Sequence, residues 1–288
     1  MTHEVPRRRL SLITDLIIFL ILTSLLLVIL KAFNVPYELA SEDEQVTPLI
    51  SDTTENVIDE NSMYITKINN EYGIKVQYGE DVESFTNKVN ATSQENIYIL
   101  NNNLKNIYEA LKKYPEDLFK IFKSGDYPMY IIIVDSFQND NIALASRNKL
   151  NEFRMYISNN SKFERAFHHE MFHIIEYYMT LHNSNTFVDW DNLNPIDFNY
   201  NSDTSKLNKK YVYDDTNYDK DNTYFVTRYS KATEKEDRAE IFAELMTMSK
   251  KAIYLNDGDK LKLKADEIIN TLTMNITSED FYCTRFFK

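Results

Sequence analysis

The chain is predicted to be an α+β protein in which a small mixed sheet packs on helices, preceded by one N-terminal transmembrane helix. Its regular segments follow the order strands and a helix, more strands, then helices, which is typical of that class. Its 288 residues, 43% of them hydrophobic, can bury one sizeable core. An apolar stretch near the N-terminus is long enough to cross a bilayer.

The apolar stretch, Leu10–Leu30, follows three consecutive arginines. As a helix it spans about 30 Å, the thickness of a hydrocarbon core. Because positive charge stays on the cytoplasmic side, we expect residues 1–9 in the cytoplasm, residues 10–33 as a single-pass signal anchor in the lipid bilayer, and the rest outside the cell. A cleaved signal peptide is the alternative, but the run is long and Glu38 stands where a cleavage site requires a small residue.

Residues 34–62 are acidic and polar, contain two prolines and show no sustained periodicity. We interpret them as an extracytoplasmic spacer. The net charge is −12 and the acidic residues are spread along the chain, which argues against nucleic acid as a partner. The single cysteine, Cys283, allows no intramolecular disulfide, and an exported domain without disulfides fits a bacterial surface better than an animal one.

The domain is expected over residues 63–288. It is expected to begin with Tyr64–Ile68 and with the alternating run Tyr72–Gly79, which is typical of a strand. Thr92 and Glu95 have the spacing of a capping box. The apolar stripe of the helix that follows consists of Ile97, Leu100, Leu104, Ile107 and Leu111.

Two further strands are expected before the next helix. Met129–Val134 is continuously apolar, as in a strand buried on both faces, and Glu152–Ser158 alternates. The second run immediately precedes a predicted helix, so it is the candidate for an exposed edge strand with which an extended peptide could pair.

That predicted helix carries the pattern HExxH, formed by His169, Glu170 and His173. Residues four apart are neighbours on a helix, so two imidazole nitrogens can converge on one zinc ion while the glutamate reaches a water molecule beside it. Ser161 and Glu164 have the spacing of a capping box, and apolar residues follow at helical spacing. His168 lies about a hundred degrees round the helix from His169 and is expected to support a ligand or to be structural rather than to bind the metal.

A catalytic zinc site usually has a third protein ligand. Glu236 and Glu240, one helical turn apart on a second amphipathic segment, are the candidates. One carboxylate can bind zinc while the other supports a ligand histidine. The alternative is a solvated charged face, with Thr233 and Glu236 as an ordinary capping box.

The segment His168–His173, together with Tyr229, Glu236 and Glu240, resembles the lethal-factor-like gluzincins, which include the catalytic domain of anthrax lethal factor, the Pro-Pro endopeptidases and metallopeptidases of bacterial surfaces. The resemblance implies a zincin-like metallopeptidase domain. It also implies that Glu236 is the third zinc ligand, Tyr229 the catalytic residue at the developing oxyanion, and Glu240 the residue that supports a ligand histidine. The likeness extends over about Tyr64 to Lys288.

The stretch Thr180–Phe225 is long and rich in Asn, Asp and Tyr. It is interpreted as a lid, a specificity loop or an acidic calcium loop. No calcium-loop pattern is present, so zinc is the one cofactor expected.

The expected function is hydrolysis of peptide bonds in a peptide or protein substrate by a zinc-activated water, with Glu170 as general base. The enzyme would be an ectopeptidase at the outer face of a cell membrane. The alternative is a catalytically inactive zincin-fold surface binding or adaptor protein, although neither a candidate ligand nor the base is missing.

Overall fold

A computed structural model describes residues 50–82, 89, 91–138, 141–148, 151–183, 186–214, 219, 221–247 and 259–276. These residues contain six α-helices: α1 (Ile50–Tyr72), α2 (Ile97–Leu111), α3 (Glu116–Lys123), α4 (Phe163–His182), α5 (Glu234–Thr247) and α6 (Lys260–Asn275). They also contain five strands: β1 (Ile74–Gln77), β2 (Ala91–Ser93), β3 (Met129–Phe137), β4 (Ala143–Arg147) and β5 (Phe153–Ser158). The α+β class with a small mixed sheet is therefore confirmed.

The sheet has the order β1-β3-β5-β4, and the short β2 pairs with β3 as well. β3 is parallel to both β1 and β5, whereas β4 is antiparallel to β5. The run Met129–Val134 lies in the central strand, and its residues from Ile131 to Val134 are fully buried, as the continuous apolar pattern predicts.

The strand β5 lies between β3 and β4, so the expectation that Glu152–Ser158 forms an exposed edge is wrong. β4 takes that place because the chain turns back antiparallel before β5, and within the described residues it pairs with β5 alone. Its sequence ALASR contains no bulky β-branched residue, so the sequence pattern does not predict this strand.

The main core fills the space between one face of the sheet and the helices. Met129, Ile131 and Ile133 of β3 and alternate residues of β5 contribute to it, together with the apolar faces of α2, α4 and α5. The opposite face of the sheet is covered by a smaller cluster that includes Ile132, Val134 and Tyr156. The helix that carries HExxH is thus packed between the sheet and α5.

Helix α1 begins at Ile50, inside the range 34–62 that the sequence analysis assigned to a spacer, and it also contains Tyr64–Ile68. The buried side of α1 was hidden in the sequence because a polar residue, Asn61, occupies a core position. The Asn61 amide donates a hydrogen bond to the Ile97 carbonyl oxygen at 3.1 Å and accepts one from Asn101 at 3.0 Å. Residues 34–49 lie outside the described residues.

Gly73 ends α1 with a left-handed backbone (φ 70°) and leads directly into β1. Its amide donates to the Asn69 carbonyl oxygen at 2.8 Å. A Cβ at this position would lie 2.7 Å from a Lys123 side-chain carbon. Glycine is therefore required both by the backbone conformation and by the close approach of α3.

Two of the predicted capping boxes are wrong, although their helices form where the apolar stripes predict them. Thr92 lies in β2, and the N-cap of α2 is Asn96, whose side-chain oxygen accepts from the amides of Tyr98 and Ile99. α4 begins after Lys162 without a side-chain cap, so Ser161 does not play that role. Asparagine and threonine have similar cap preferences, so spacing alone could not choose between them.

The transmembrane helix expected over residues 10–33 lies outside the described residues, as do residues 1–9 and Cys283. Among the residues that the structure does describe, no helix is both long and apolar enough to span a membrane.

Candidate metal centre

The two helices that carry the motif residues pack against each other along their lengths. Both bury an unusual number of charged or titratable side chains. On α4 these are His168, His169, Glu170, His173 and Glu176, and on α5 they are Asp237, Arg238, Glu240 and Glu244. Buried charges are costly unless they are paired or bind a metal, so this interface is where a functional site is expected.

His169, His173 and Glu236 form a cluster that can hold a metal ion. The Nε2 atoms of the two histidines are 3.2 Å apart. The Glu236 Oε2 atom lies 2.9 Å from Nε2 of His169 and 3.4 Å from Nε2 of His173. Ligands about 2.05 Å from a tetrahedral zinc ion are separated by about 3.3 Å, so the three edges of this triangle have the size that zinc requires.

The hydrogen bonds around His169 suit a metal ligand. Its Nδ1 atom lies 2.9 Å from Oε1 of Glu240 and donates a hydrogen bond to it. The lone pair of Nε2 is then available to a metal at the centre of the triangle. Glu240 is held in turn by both terminal nitrogens of Arg165, at 2.7 and 3.0 Å, and by the Thr227 hydroxyl at 2.7 Å. The donor set and these supporting contacts therefore fit zinc.

Electrostatics favour a cation at the centre of the triangle. Burial alone would lower the pKa of His169, but the hydrogen bonds to Glu236 and Glu240 outweigh it and raise the pKa to about 10. Burial opposes ionisation of Glu236, yet the two histidines lower its pKa to about 2. Without a metal, a proton on His169 thus serves as the cation that the two glutamates require.

Glu170 lies beside the cluster and is 8% exposed. Its Oε2 atom accepts a hydrogen bond from the backbone amide of Ala145, in β4, at 2.5 Å. Burial raises the pKa of Glu170, while the neighbouring histidines oppose the rise. A carboxylate with a raised pKa next to a metal cluster is suited to accepting and returning a proton.

Tyr229 stands at the open side of the cluster in a single 3-10 turn, Tyr229–Lys231. Its ring centroid is 6.1 Å from that of His169, and 44% of the residue is exposed. Partial burial and the charges of Glu236 and Glu170 raise its pKa, so it remains a hydroxyl donor at neutral pH. Its position allows contact with a bound ligand and with the cluster.

The remaining histidines of α4 point elsewhere. His168 is fully buried, and its Nδ1 atom is 2.7 Å from the Tyr114 hydroxyl. Burial lowers its pKa, so it is neutral. His182 packs on the rings of Tyr127 and Tyr178. Both are structural, as expected for His168.

The long stretch between Thr180 and Phe225 is anchored to α5 beside the cluster. Trp190 Nε1 and the Tyr200 hydroxyl donate to the Asp237 carboxylate at 3.1 and 2.8 Å, and Lys264 Nζ lies 2.6 Å from the same oxygen. None of the described residues of this stretch lines the cavity next to the metal cluster. They support the helix that carries Glu236 rather than cover the cleft.

Sequence reasoning missed three contributors to the site. Arg165 precedes His169 by one helical turn, and that spacing could have identified it. Thr227 and the backbone amide of Ala145 reach the site through the tertiary fold, and nothing in their local sequence indicates it. A larger depression of about 760 Å³ lies between α1 and β1, but it contains none of the metal-binding side chains.

The architecture is similar to a crystal structure from Bacteroides caccae that is described as that of "a putative zinc-binding metallo-peptidase". The TM-score is 0.53 and the sequence identity 17%, and the match covers 80% of this chain and 90% of the other. Comparison with protein-family models and with curated proteins gives no match. At this identity the likeness concerns the fold, which is that of a metallopeptidase-like α+β domain.

Proposed function

We propose that the chain is a zinc-dependent endopeptidase of the lethal-factor-like gluzincin group. The observation that carries the proposal is the triangle of His169, His173 and Glu236, whose edges match those of a tetrahedral zinc site. Glu170 at its border supplies the base that hydrolysis needs. The metallopeptidase-like fold is consistent with this reading.

Zinc, when bound, would act as a Lewis acid toward the scissile carbonyl and make a nearby water molecule more acidic. Glu170 accepts the proton of that water and returns it to the leaving amine. Tyr229 donates a hydrogen bond to the carbonyl oxygen as negative charge develops on it. Glu240 keeps the Nδ1 proton on His169 and thereby fixes the orientation of the ring.

The substrate would bind as an extended strand along β4. The amide of Asn148 donates to the Glu152 carbonyl oxygen and that of Ser158 to the Ile142 carbonyl oxygen, so the even-numbered positions of β4 face β5. Ala143 and Ala145 therefore turn their backbone groups to the outer edge, where Glu170 already accepts one amide proton. We expect a peptide added at this edge to pass close to His169 and Glu170, because both residues line the same cavity as Ala143.

The site is proposed to act outside the cell, held at the membrane by residues 10–33. The competing function is a surface binding or adaptor protein that keeps the fold without the chemistry. The paired arrangement of ligands, base and supporting groups favours the enzyme, because an adaptor has no need of a buried carboxylate beside a metal cluster.

The decisive experiment uses the full chain purified in detergent and measures bound zinc together with peptide cleavage. We expect Glu170→Ala to keep zinc without activity and Glu236→Ala to lose both. Lys105→Ala, an exposed residue of α2 away from the cleft, is the matched control and should keep both. Full zinc occupancy in Glu236→Ala would move the third ligand elsewhere, and absence of zinc from the wild type would falsify the enzyme reading.

A further inference from the structure

A cavity of about 420 Å³ opens beside the metal cluster. Its volume is within the range of ligand pockets and leaves ample room for a long side chain. Its walls include Ile142, Ala143, Lys162, Ala166, His169 and Glu170. It therefore lies between the outer edge of β4 and the first turns of α4, where a side chain next to the scissile bond of a strand-bound peptide would enter.

Most charged groups in the wall of this cavity already have partners. Arg165 is held by both carboxylate oxygens of Glu240, and Glu240 also bonds to His169 and Thr227. Glu170 accepts a hydrogen bond from the backbone amide of Ala145. Arg165, Glu240 and His169 are thus bound to one another, and Glu170 is held by the backbone of β4.

Lys162 differs from them. It is exposed at the cavity, and among the described residues its ammonium group has neither an ion-pair partner nor a hydrogen-bond acceptor. The cavity wall also includes three aliphatic side chains, those of Ile142, Ala143 and Ala166, and Ala166 is one helical turn from Lys162. Such a pocket offers packing to a methylene stem and one charged donor to the group at its end.

We propose that this cavity is the subsite for a substrate side chain that ends in a carboxylate, above all glutamate, which Lys162 binds. The inference rests on the proposed peptidase function and names the class of peptide that the site selects. A lysine side chain is rejected because its ammonium meets that of Lys162. A glutamine fills the same space with a weaker, uncharged hydrogen bond.

The test uses quenched fluorescent peptides that differ at one position in carrying Glu, Gln, Leu or Lys, with this position scanned over three residues on either side of the scissile bond. With the full chain in detergent and zinc present, we expect glutamate at one position to raise kcat/KM about tenfold over glutamine, mainly through KM. Lys162→Glu should reverse the order of Glu and Lys there. Lys105→Glu, with the same change of charge on a residue that does not line the cavity, should preserve it.

A second arm measures binding without cleavage, by fluorescence anisotropy of the same peptides with Glu170→Gln. The glutamate peptide should bind more tightly than the glutamine peptide, and salt should weaken the difference. A preference for leucine, or the same order of peptides in Lys162→Glu and wild type, overturns the subsite. If zinc-loaded wild type cleaves none of the peptides, the proposed function fails, and equal binding of the Glu and Gln peptides in this arm then overturns the subsite as well.

Discussion

The protonation of His169 affects two other ionisable groups at the site, the carboxylates of Glu236 and Glu240. In the metal-free protein its raised pKa, about 10, keeps it protonated at neutral pH between Glu236 and Glu240. The stabilisation that this proton provides is complete below the ordinary histidine pKa of about 6.5 and is lost as pH rises toward about 10. In the proposed zinc-bound state the metal ion would supply this positive charge instead.

Zinc binding should therefore release about one proton at neutral pH, and zinc affinity should increase as pH rises from about 7 to 9, because less work is needed to deprotonate His169. Isothermal titration calorimetry in buffers of different ionisation enthalpy measures the number released. Glu240→Gln, which removes one of the two carboxylates that raise the pKa, should release less. Identical heats in all buffers would contradict the assignment of the proton to His169.

Tyr229 is proposed to act by stabilising the transition state rather than by binding the metal. Burial raises the pKa of Tyr229, and the hydrogen bond that its hydroxyl donates to Glu236 helps to raise it. Its ring lies 6.1 Å from that of His169, but it is not one of the three residues that can hold the metal. Tyr229→Phe should lower kcat by about 10²–10³ and leave zinc content unchanged. Tyr178→Phe, on α4 but packed against Tyr127, is the control and should keep wild-type rates. Loss of zinc in Tyr229→Phe would show that the tyrosine acts on the metal site itself.

The helix α5 is held to its neighbours through one buried carboxylate, that of Asp237. Asp237 and Lys264 are both fully buried, and the Asp237 oxygen also accepts from Trp190 and Tyr200. Three segments, namely α5, α6 and the stretch after α4, thus meet next to Glu236. Burial raises the pKa of Asp237 and lowers that of Lys264, and their mutual attraction opposes both changes.

Lys264→Met should reduce the free energy of unfolding by about 3–5 kcal/mol, because it leaves the Asp237 charge buried without its cation. Urea denaturation measures it. The double variant Asp237→Asn/Lys264→Met should recover part of the loss, since an asparagine oxygen still accepts from Trp190 and Tyr200. Lys262→Met, which breaks a partly exposed pair with Asp266 on the same helix, should cost less than about 1 kcal/mol. Equal losses in the two single variants would refute the argument.

The elements that the sequence predicted correctly are those in which the spacing of apolar residues matches the buried positions. The stripe from Ile97 to Leu111 and the apolar run from Met129 report burial directly, and helical spacing placed His169 and His173 on one face. α1 was missed because Asn61 fills a core position and finds its partners 36 and 40 residues away. β4 was missed because alanines serve as well as larger residues where the chain packs close to α4. Thr227 and Ala145 reach the site through the tertiary fold alone.

The protein as a whole and the peptide side chain proposed for the subsite are both negatively charged. The chain carries −12, so an acidic peptide is repelled over long distances and attracted only within the cavity beside Lys162. A charged surface of this kind slows association with acidic peptides more at low than at high ionic strength, and salt also screens the contact with Lys162, because that side chain is exposed. The preference for glutamate should therefore appear in how tightly the peptide is held in the cavity and not in how fast it arrives.

The proposed membrane anchor, residues 10–33, would determine where the whole protein is located in the cell. If residues 10–30 form the proposed span, Asp15 would lie near its cytoplasmic end, where one charge is tolerated. We expect the full chain to stay in the membrane fraction after washing with high salt or carbonate, and protease added to intact cells to remove the zinc-binding part. Replacing Leu20 and Leu22 by arginine should release the chain from the membrane, since each charge costs about 3 kcal/mol at the centre of a span. Replacing them by alanine is the control and should not. Soluble protein in the medium that begins near Ser41 would instead identify a cleaved signal peptide.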